Sequence, residues 1–514
     1  MSFLPSPFSV RCGGLVGFAM LAATACSFEG LSSDDAQPGG YGAGDAVGVG
    51  ATTVGPGSTG SGTGSGGNTF APPQDEDPPA ACEALDPNQP TLLYLSADDS
   101  NSMASPAMAR GALEIGAPVR PATIRTYEFL NYYRIDYEPP AEGDLNVVPQ
   151  LALGTEPGTY DLQIGVRSHD ALTRRPMTIT LVLDTSGSMQ GLPIARERAV
   201  VRAIAMNLSA GDIVNAVTWS DSQATLLDGH VVSGPNDPAV IAVADGLVAN
   251  GGTDLDAGLR RGYEMAEAYY GASRLNRVVL ISDGGANTGV VAPELIGGPA
   301  DDADAEGIYL VGVGTSPPQT YADDLMDEVT DLGRGAHVFV SSDEEAIAMF
   351  GDRFDEVFEV AARGVRVELT LPWYFQMYRF YGEEYSTVAE EIEPQHLAPN
   401  DAMVFNQVLR ACDPEVVNLT DTITVRTTWT EPLTYQPRET SVTLTVDAML
   451  ASASPQLEKG KAIVAFAEAL KAGTTEAMSA AREAVEAANL DGLDPELSDI
   501  AQQIERHPAT PFSP

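Results

Sequence analysis

The sequence predicts an α/β fold with a doubly wound, mostly parallel sheet, inserted between two β-rich segments and followed by helices. In residues 177–362, apolar runs rich in β-branched residues alternate with helix-like patterns, which is typical of a sheet covered on both faces. Residues 89–176 and 363–450 instead show short runs of alternating polarity, which indicate antiparallel strands. Residues 451–514 are rich in Ala and Glu at helical spacing and predict a helical tail.

The central region supplies the parallel sheet. Its predicted strands are Met177–Leu183, Ile213–Trp219, Arg277–Ser282 and Ile308–Val313. Its predicted helices are Gly191–Leu208, Leu255–Tyr270 and Asp343–Ala362. Right-handed crossovers place the carboxyl ends of such strands at one edge of the sheet, where ligands bind.

The flanking segments are predicted to pack on each other, so that the α/β region is an insertion; two separate small β domains are the alternative. Their predicted strands are Thr91–Leu95, Leu145–Leu153, Tyr160–Arg167, Val365–Leu371, Met403–Leu409, Thr422–Trp429 and Ser441–Val446. Ile124–Tyr133 is predicted to be a helix whose aromatic residues join the core. Three tail helices, expected to cap the β region, are Leu457–Leu470, Thr475–Ala488 and Pro495–Arg506.

The amino terminus resembles an export signal. Arg11 precedes an apolar run that ends at Cys26, and the run is too short to span a bilayer. Ala23-Thr24-Ala25-Cys26 looks like a bacterial lipobox, which predicts a signal peptide over 1–25, lipidation of Cys26 and an envelope location, in the outer membrane if the cell has one. Ordinary cleavage and secretion is the alternative. Residues 26–88 are rich in Gly, Ser and Asp, and we expect a disordered tether.

The charge of the chain restricts the kinds of partner it can bind, and its cysteines indicate one possible disulfide. The chain has 28 Lys+Arg against 72 Asp+Glu and a formal net charge of -44, which argues against nucleic acid as a partner. The same acidity favours cation binding, although general surface acidity is an equally good explanation. Once the signal is removed and Cys26 is acylated, Cys82 and Cys412 remain, and an exported compartment permits a disulfide between them.

A D-x-S-x-S pattern follows the first strand of the central region. Asp184, Ser186 and Ser188 come directly after the apolar run that starts at Met177. One carboxylate and two hydroxyls are hard oxygen ligands that suit Mg²⁺ or Mn²⁺, whereas Zn²⁺ prefers Cys and His. A Ser/Gly turn after a strand is the plain alternative.

Two further loops carry oxygen ligands at expected element boundaries. Thr253 follows a Gly-Gly pair just before a predicted helix, and Asp283 follows the strand Arg277–Ser282. With Asp184, Ser186 and Ser188 they would make two carboxylates and three hydroxyls. Together with waters, this set can fill an octahedral oxygen shell and leave one position open.

These motifs resemble a von Willebrand factor type A domain. DTSGSM at 184–189, GGTDLDAGL at 251–259 and RVVLISDGGANTG at 277–289 match its signature pattern in order. The resemblance implies a metal-ion-dependent adhesion site for Mg²⁺ or Mn²⁺. In it Ser186, Ser188 and Thr253 would touch the ion, and Asp184 and Asp283 would act partly through water. More widely, the chain is similar to bacterial lipoproteins with this domain and, distantly, to inter-alpha-trypsin inhibitor heavy chains.

The resemblance also implies a function. An Asp or Glu of a protein partner would complete the shell of the ion, and such binding often moves the last helix of the domain, here Asp343–Ala362. The sequence therefore predicts a non-enzymatic envelope lipoprotein. One alternative is a structural scaffold whose metal site only stabilises the fold. The other is an aspartyl-phosphate hydrolase with Asp184 as nucleophile, which is disfavoured because Ser186 stands where such enzymes carry a second Asp.

Overall fold

The computed structural model describes residues 80–510, apart from 99, 172, 285–295, 297–306 and 453. All the described residues belong to one compact unit, Thr69–Pro514. Within them, no helix has the length and apolar character that crossing a bilayer would require. The predicted signal peptide 1–25, the lipidation site Cys26 and most of the predicted tether lie outside the described residues.

The described residues form strands β1 to β16 and helices α1 to α12, numbered along the chain. The strands are Thr91–Ser96, Asn146–Leu153, Thr159–Arg167, Met177–Asp184, Ile213–Trp219, Gln223–Val231, Leu275–Ser282, Ile308–Gly314, His337–Phe339, Ala362–Leu371, Phe375–Phe380, Glu384–Ser386, Gln395–Leu397, Ala402–Ala411, Thr422–Thr430 and Pro437–Thr445. The helices are Ala104–Glu114, Thr126–Tyr132, Leu192–Asn207, Pro238–Gly246, Leu255–Ala268, Asp323–Gly333, Asp343–Ile347, Phe354–Phe358, Val446–Leu450, Pro455–Ala472, Thr475–Ala488 and Pro495–Arg506.

The central sheet has the strand order β6-β5-β4-β7-β8-β9. Every pairing in it is parallel except that of the β5–β6 hairpin. Strands β4 and β7 are buried along their whole length, as expected for strands covered by helices on both faces. Leu183 pairs with Thr218 on one side and Ile281 on the other, so the carboxyl ends of β4, β5 and β7 meet at one edge. The predicted mostly parallel α/β sheet is confirmed.

Two antiparallel sheets flank this unit. One has the order β12-β1-β10-β15-β16 with β13 paired to β10, and the other has the order β11-β14-β3-β2. Each sheet combines strands that precede the α/β region with strands that follow it. Their inner faces share one apolar cluster that contains Leu95, Leu162, Leu369 and Phe405. The α/β region is therefore an insertion, and the alternative of two separate β domains is wrong.

The segment 89–176 is not β-rich throughout, because it contains α1 and α2. Both helices belong to the apolar cluster of the central sheet. The tail helices join the same cluster, with Phe466 of α10 edge-on to Phe129 of α2 at 5.8 Å between ring centroids. The tail also touches the β region, where Gln163 Nε2 donates to the Gln456 carbonyl at 2.9 Å. It therefore packs mainly on α2, and the prediction that it caps the β region was incomplete.

The predicted helix Asp343–Ala362 was wrong as a single element. It consists of α7, a π turn over Ala348–Asp352 and α8, and Ala362 already belongs to β10. The amide of Asn207 donates to the Phe350 and Gly351 carbonyls at 3.2 and 2.9 Å. Because these carbonyls accept hydrogen bonds from a side chain, the regular series of helical hydrogen bonds is interrupted there.

The folded region begins before residue 89. Cys82 lies in a short 3-10 turn and is disulfide-bonded to Cys412, which follows β14. Nearby, Ala80 N donates to Gln376 Oε1 at 2.7 Å. Residues 80–88 are thus held on the β region, which shortens the tether predicted for 26–88.

Candidate metal centre

Asp184 ends the central strand β4 and is completely buried. Ser186 N donates to its Oδ1 at 2.9 Å, and the Ser282 hydroxyl donates to its Oδ2 at 2.7 Å. Ser282 is in turn held by Gly284 N, which donates to its hydroxyl at 3.1 Å. The carboxylate is therefore fixed by donors from two adjacent strand ends.

Ser186 and Ser188 present a pair of hydroxyls in the turn that follows β4. Ser186 is buried, Ser188 is exposed, and their Oγ atoms lie 3.0 Å apart. Octahedral Mg²⁺ with ligands at 2.0–2.1 Å places neighbouring oxygens about 2.9 Å apart. The hydroxyl pair thus matches one edge of a Mg²⁺ coordination octahedron, with its outer member facing solvent.

The loop that carries Thr253 is tied to this turn by its backbone. Gly187 N donates to the Gly251 carbonyl at 3.0 Å, and Asn250 N donates to the Thr185 carbonyl at 2.7 Å. Gly251 has φ +95°, a conformation that favours glycine. Thr253 is half-buried and precedes Asp254, which caps α5 by accepting from Ala257 N.

Asp283 follows β7 and is 8% exposed. Because β7 is the direct neighbour of β4, Asp283 and Asp184 lie at adjacent strand ends. Burial raises the pKa of Asp184, and the charge of Asp283 adds a smaller contribution. The structure thus brings the loops of all five predicted ligands to one edge of the sheet.

Burial penalises negative charge at the candidate site. Burial raises the pKa of Asp184 to about 6, and the hydrogen bonds from Ser186 and Ser282 only partly oppose this shift. Burial, together with the charge of Asp184, also holds the pKa of the fully buried Glu197 on α3 well above its ordinary value. A divalent cation would supply the missing positive charge, so the residues present fit the implied group.

The donor set also fits the type of ion. In the described part of the chain, no three His, Cys, Asp or Glu side chains converge as they would around zinc. Two carboxylates with three hydroxyls form instead a weakly charged oxygen set, which Mg²⁺ and Mn²⁺ accept.

Asp221, in the turn between β5 and β6, is a close neighbour of the site that was not among the predicted residues. A Cβ on Gly251 would lie 2.8 Å from Asp221 Oδ2, and a Cβ on Gly252 would collide with Asp221 Oδ1. The carboxylate therefore lies directly on the backbone of the Gly-Gly pair, next to Thr253. The Gly251-Gly252 pair was the sequence signal for it, because two adjacent glycines indicate that another group lies close to the backbone.

Residues 178–353 match the von Willebrand factor type A domain. The chain is therefore a protein with a von Willebrand factor type A domain. Domains of this type typically bind proteins and often carry a metal-ion-dependent adhesion site.

The chain is distantly related to two groups of proteins. It is 25% identical over 295 residues to the uncharacterized protein YfbK of Escherichia coli K12, covering 54% of this chain and 50% of YfbK. It is 33% identical over 130 residues to rat inter-alpha-trypsin inhibitor heavy chain H3, covering 24% of this chain and 14% of that protein. The longer of these two alignments, the one with YfbK, spans about half the length of that protein.

Among solved structures, a von Willebrand factor type A protein from Catenulispora acidiphila aligns with a TM-score of 0.45 and 12% identity. The alignment covers 69% of this chain and 89% of that one.

Proposed function

We propose that this protein captures a protein partner through Mg²⁺ or Mn²⁺ held by Asp184, Ser186, Ser188, Thr253 and Asp283. The observation that carries the proposal is the hydroxyl pair of Ser186 and Ser188, 3.0 Å apart beside the buried Asp184. A bound ion would supply an electrophilic centre with one open position for a carboxylate of the partner.

The residues of the chain explain why that position would stay open. Ser186 N and the Ser282 hydroxyl hold the Asp184 carboxylate at the strand end. Ser186, Ser188 and Thr253 contribute neutral oxygens, which leave most of the positive charge unneutralised. Ser188 is exposed, so the open side faces solvent, where an Asp or Glu of a partner can approach.

The proposal includes no catalysis. A phosphoryl-transfer role for Asp184 would need a second acid two residues on, and that residue is Ser186, whose hydroxyl faces Ser188 instead. The site is thus better suited to holding a ligand than to moving a proton.

The proposed location is the cell envelope, with a lipid on Cys26 as anchor and secretion as the alternative. Its support is the sequence around Cys26. Metabolic labelling with a radioactive fatty acid, in a bacterial host with the lipoprotein pathway, tests it. Label should be lost in Cys26→Ser and kept in the matched variant Cys12→Ser. Equal labelling of both variants, or none in the unmodified chain, would contradict the anchor.

Titration calorimetry of the full chain with Mg²⁺ and with Mn²⁺ tests the site. We expect saturable binding that Asp184→Ala abolishes and that Asp245→Ala, on the exposed surface of α4, leaves intact. Absence of saturable binding in the unmodified chain would refute the metal site. Metal binding without any capture of carboxylate-bearing peptides would favour the scaffold alternative, in which the ion only stabilises the fold.

A further inference from the structure

The face that surrounds the candidate metal centre is acidic. Its described loops and the first two residues of α5 contain four aspartates, which are Asp221, Asp254, Asp256 and Asp283, and they contain no Lys or Arg. The loops are 185–191, 220–222, 247–254, 283–284 and 315–322. A partner that brings a carboxylate to this face must overcome repulsion from it.

Three of these aspartates are already compensated. Asp283 belongs to the proposed metal site, and Asp254 caps α5 by accepting from Ala257 N at 3.1 Å. Asp256 is paired with Arg260, whose Nε lies 2.8 Å from its Oδ2. Within the described residues, Asp221 has no ion pair.

Arginines border this face at its loop 315–322 and on α5, and they are engaged by groups other than Asp221. Arg196 of α3 donates to the Thr315 and Ser316 carbonyls, both at 2.9 Å. Arg261 of α5 is paired with Glu264 at 3.2 Å. The exposed carboxylate of Asp221 therefore remains a fixed negative charge at the rim of the site.

Asp221 is also close enough to act on a ligand of the ion. Its carboxylate lies on the backbone of Gly251 and Gly252, and the Gly251 carbonyl accepts from Gly187 N, between the two metal-binding serines. The carboxylate of Asp221 therefore contacts the residue that precedes Thr253. It also contacts Gly251, whose carbonyl is hydrogen-bonded to the turn that carries Ser186 and Ser188.

We propose that Asp221 selects, among carboxylate-bearing partners, those in which Lys or Arg flanks the Asp or Glu that reaches the ion. The inference rests on the proposed function and adds the chemistry of the partner. A basic neighbour would pair with Asp221, whereas an acidic neighbour would be repelled by it. Two exposed charges at about 7 Å in water change affinity about threefold at low ionic strength, and salt screens the effect.

Three labelled pentapeptides test this, each with a central Asp and with Lys, Ser or Glu on both sides. Their affinities for the full chain in saturating Mn²⁺ are measured by fluorescence polarisation. We expect the order Lys, Ser, Glu, with about threefold between neighbours, and convergence near 1 M salt, where the Debye length is about 3 Å. Asp221→Asn should weaken the Lys-flanked peptide about threefold and tighten the Glu-flanked one. Asp245→Asn, the matched control, should change neither.

The possible results distinguish the role of Asp221 from the proposed metal-dependent capture of a partner. Equal affinity for all three peptides, with binding still dependent on Mn²⁺ and on the central Asp, would overturn the role of Asp221 alone. Failure of every peptide to bind a chain that does bind Mn²⁺ would overturn the proposed function and this inference with it. Calorimetry of Asp221→Asn with Mn²⁺ is the second readout. A loss of Mn²⁺ affinity as large as the loss of peptide affinity would mean that Asp221 acts on the ion and not on the partner.

Discussion

Replacing Asp184 by Asn should stabilise the metal-free protein and abolish its stabilisation by metal. Burial raises the pKa of Asp184 from 3.8 to about 6, so its charged form is disfavoured in the folded state. At pH 7 this shift corresponds to about 3 kcal/mol of destabilisation. An Asn side chain keeps the acceptor for Ser186 N and carries no charge. Allowing about 1 kcal/mol for rearranged hydrogen bonding at Ser282, we expect Asp184→Asn to be about 2 kcal/mol more stable.

The assay is thermal unfolding of the full chain in chelator and in Mg²⁺. In chelator, the variant should melt about 2 °C higher, taking about 1 °C for each kcal/mol, because the entropy of unfolding grows with chain length and about 400 residues are folded here. Mg²⁺ at 100 times its dissociation constant should stabilise the unmodified chain by about 2.7 kcal/mol and the variant not at all. The same pair of measurements on Asp245→Asn should reproduce the unmodified chain.

The pH dependence has a definite sign. The pKa of Asp184 is raised on folding, so its protonation favours the folded state fully below about pH 4, and this contribution is lost as the pH rises through about 6. The advantage of Asp184→Asn in chelator should therefore be present at pH 7 and shrink toward pH 4. A variant that melts lower than the unmodified chain in chelator, or that Mg²⁺ stabilises equally, would refute the reasoning.

Three further changes test how the site is supported. Cys412→Ser removes the disulfide and should lower the free energy of unfolding, measured in urea, by about 2 to 5 kcal/mol. In electrophoresis without reductant, this variant should migrate more slowly than the unmodified chain. Gly258→Ala should lower the free energy of unfolding by about 1 to 3 kcal/mol in the same assay, because its Cβ would lie 2.6 Å from Trp219 Cγ, behind the loops of the candidate metal centre. Arg125→Ala should cost about 3 to 5 kcal/mol, because it leaves the completely buried Glu128 without its ion-pair partner.

Each of these has a contradicting result. Equal mobility of oxidised and reduced protein would argue against the disulfide. An unchanged midpoint in Gly258→Ala would mean that α5 can move away from β5. An unchanged midpoint in Arg125→Ala would mean that Glu128 is neutral in the native protein, and the double variant Arg125→Ala with Glu128→Gln distinguishes that case.

Much of the α/β unit was predictable, because its strands are buried on both faces and read as continuous apolar runs. The hydrophobicity of β4 ends abruptly at Asp184, which marks the sheet edge in the sequence itself. Helix α1 escaped prediction because nine of its eleven residues are buried, which leaves no polar stripe to reveal the helical period. Strand β6 escaped for the opposite reason, since it is an edge strand that is exposed along most of its length.

Spacing alone does not define the site, as a second D-x-S-x-S pattern shows. Asp98, Ser100 and Ser102 follow β1 with the same spacing, and the two serine hydroxyls lie 2.7 Å apart. There, however, the Asn131 amide donates to Asp98 Oδ2 at 2.6 Å, Ser102 N donates to it at 2.7 Å, and all three residues of the pattern are buried. Only the tertiary structure distinguishes a loop closed by protein donors from one that opens to solvent.

The disulfide near the start of the folded region determines how a pulling force would travel through the molecule. A load applied to the chain ahead of Cys82 passes covalently to Cys412, at the end of β14, as well as to β1. Strand β14 lies between β11 and β3, inside its sheet. The load would therefore be shared by a central strand under shear, and β1 would not be peeled from β10 and β12 alone. The disulfide therefore reinforces the point at which force from the preceding chain would enter the fold.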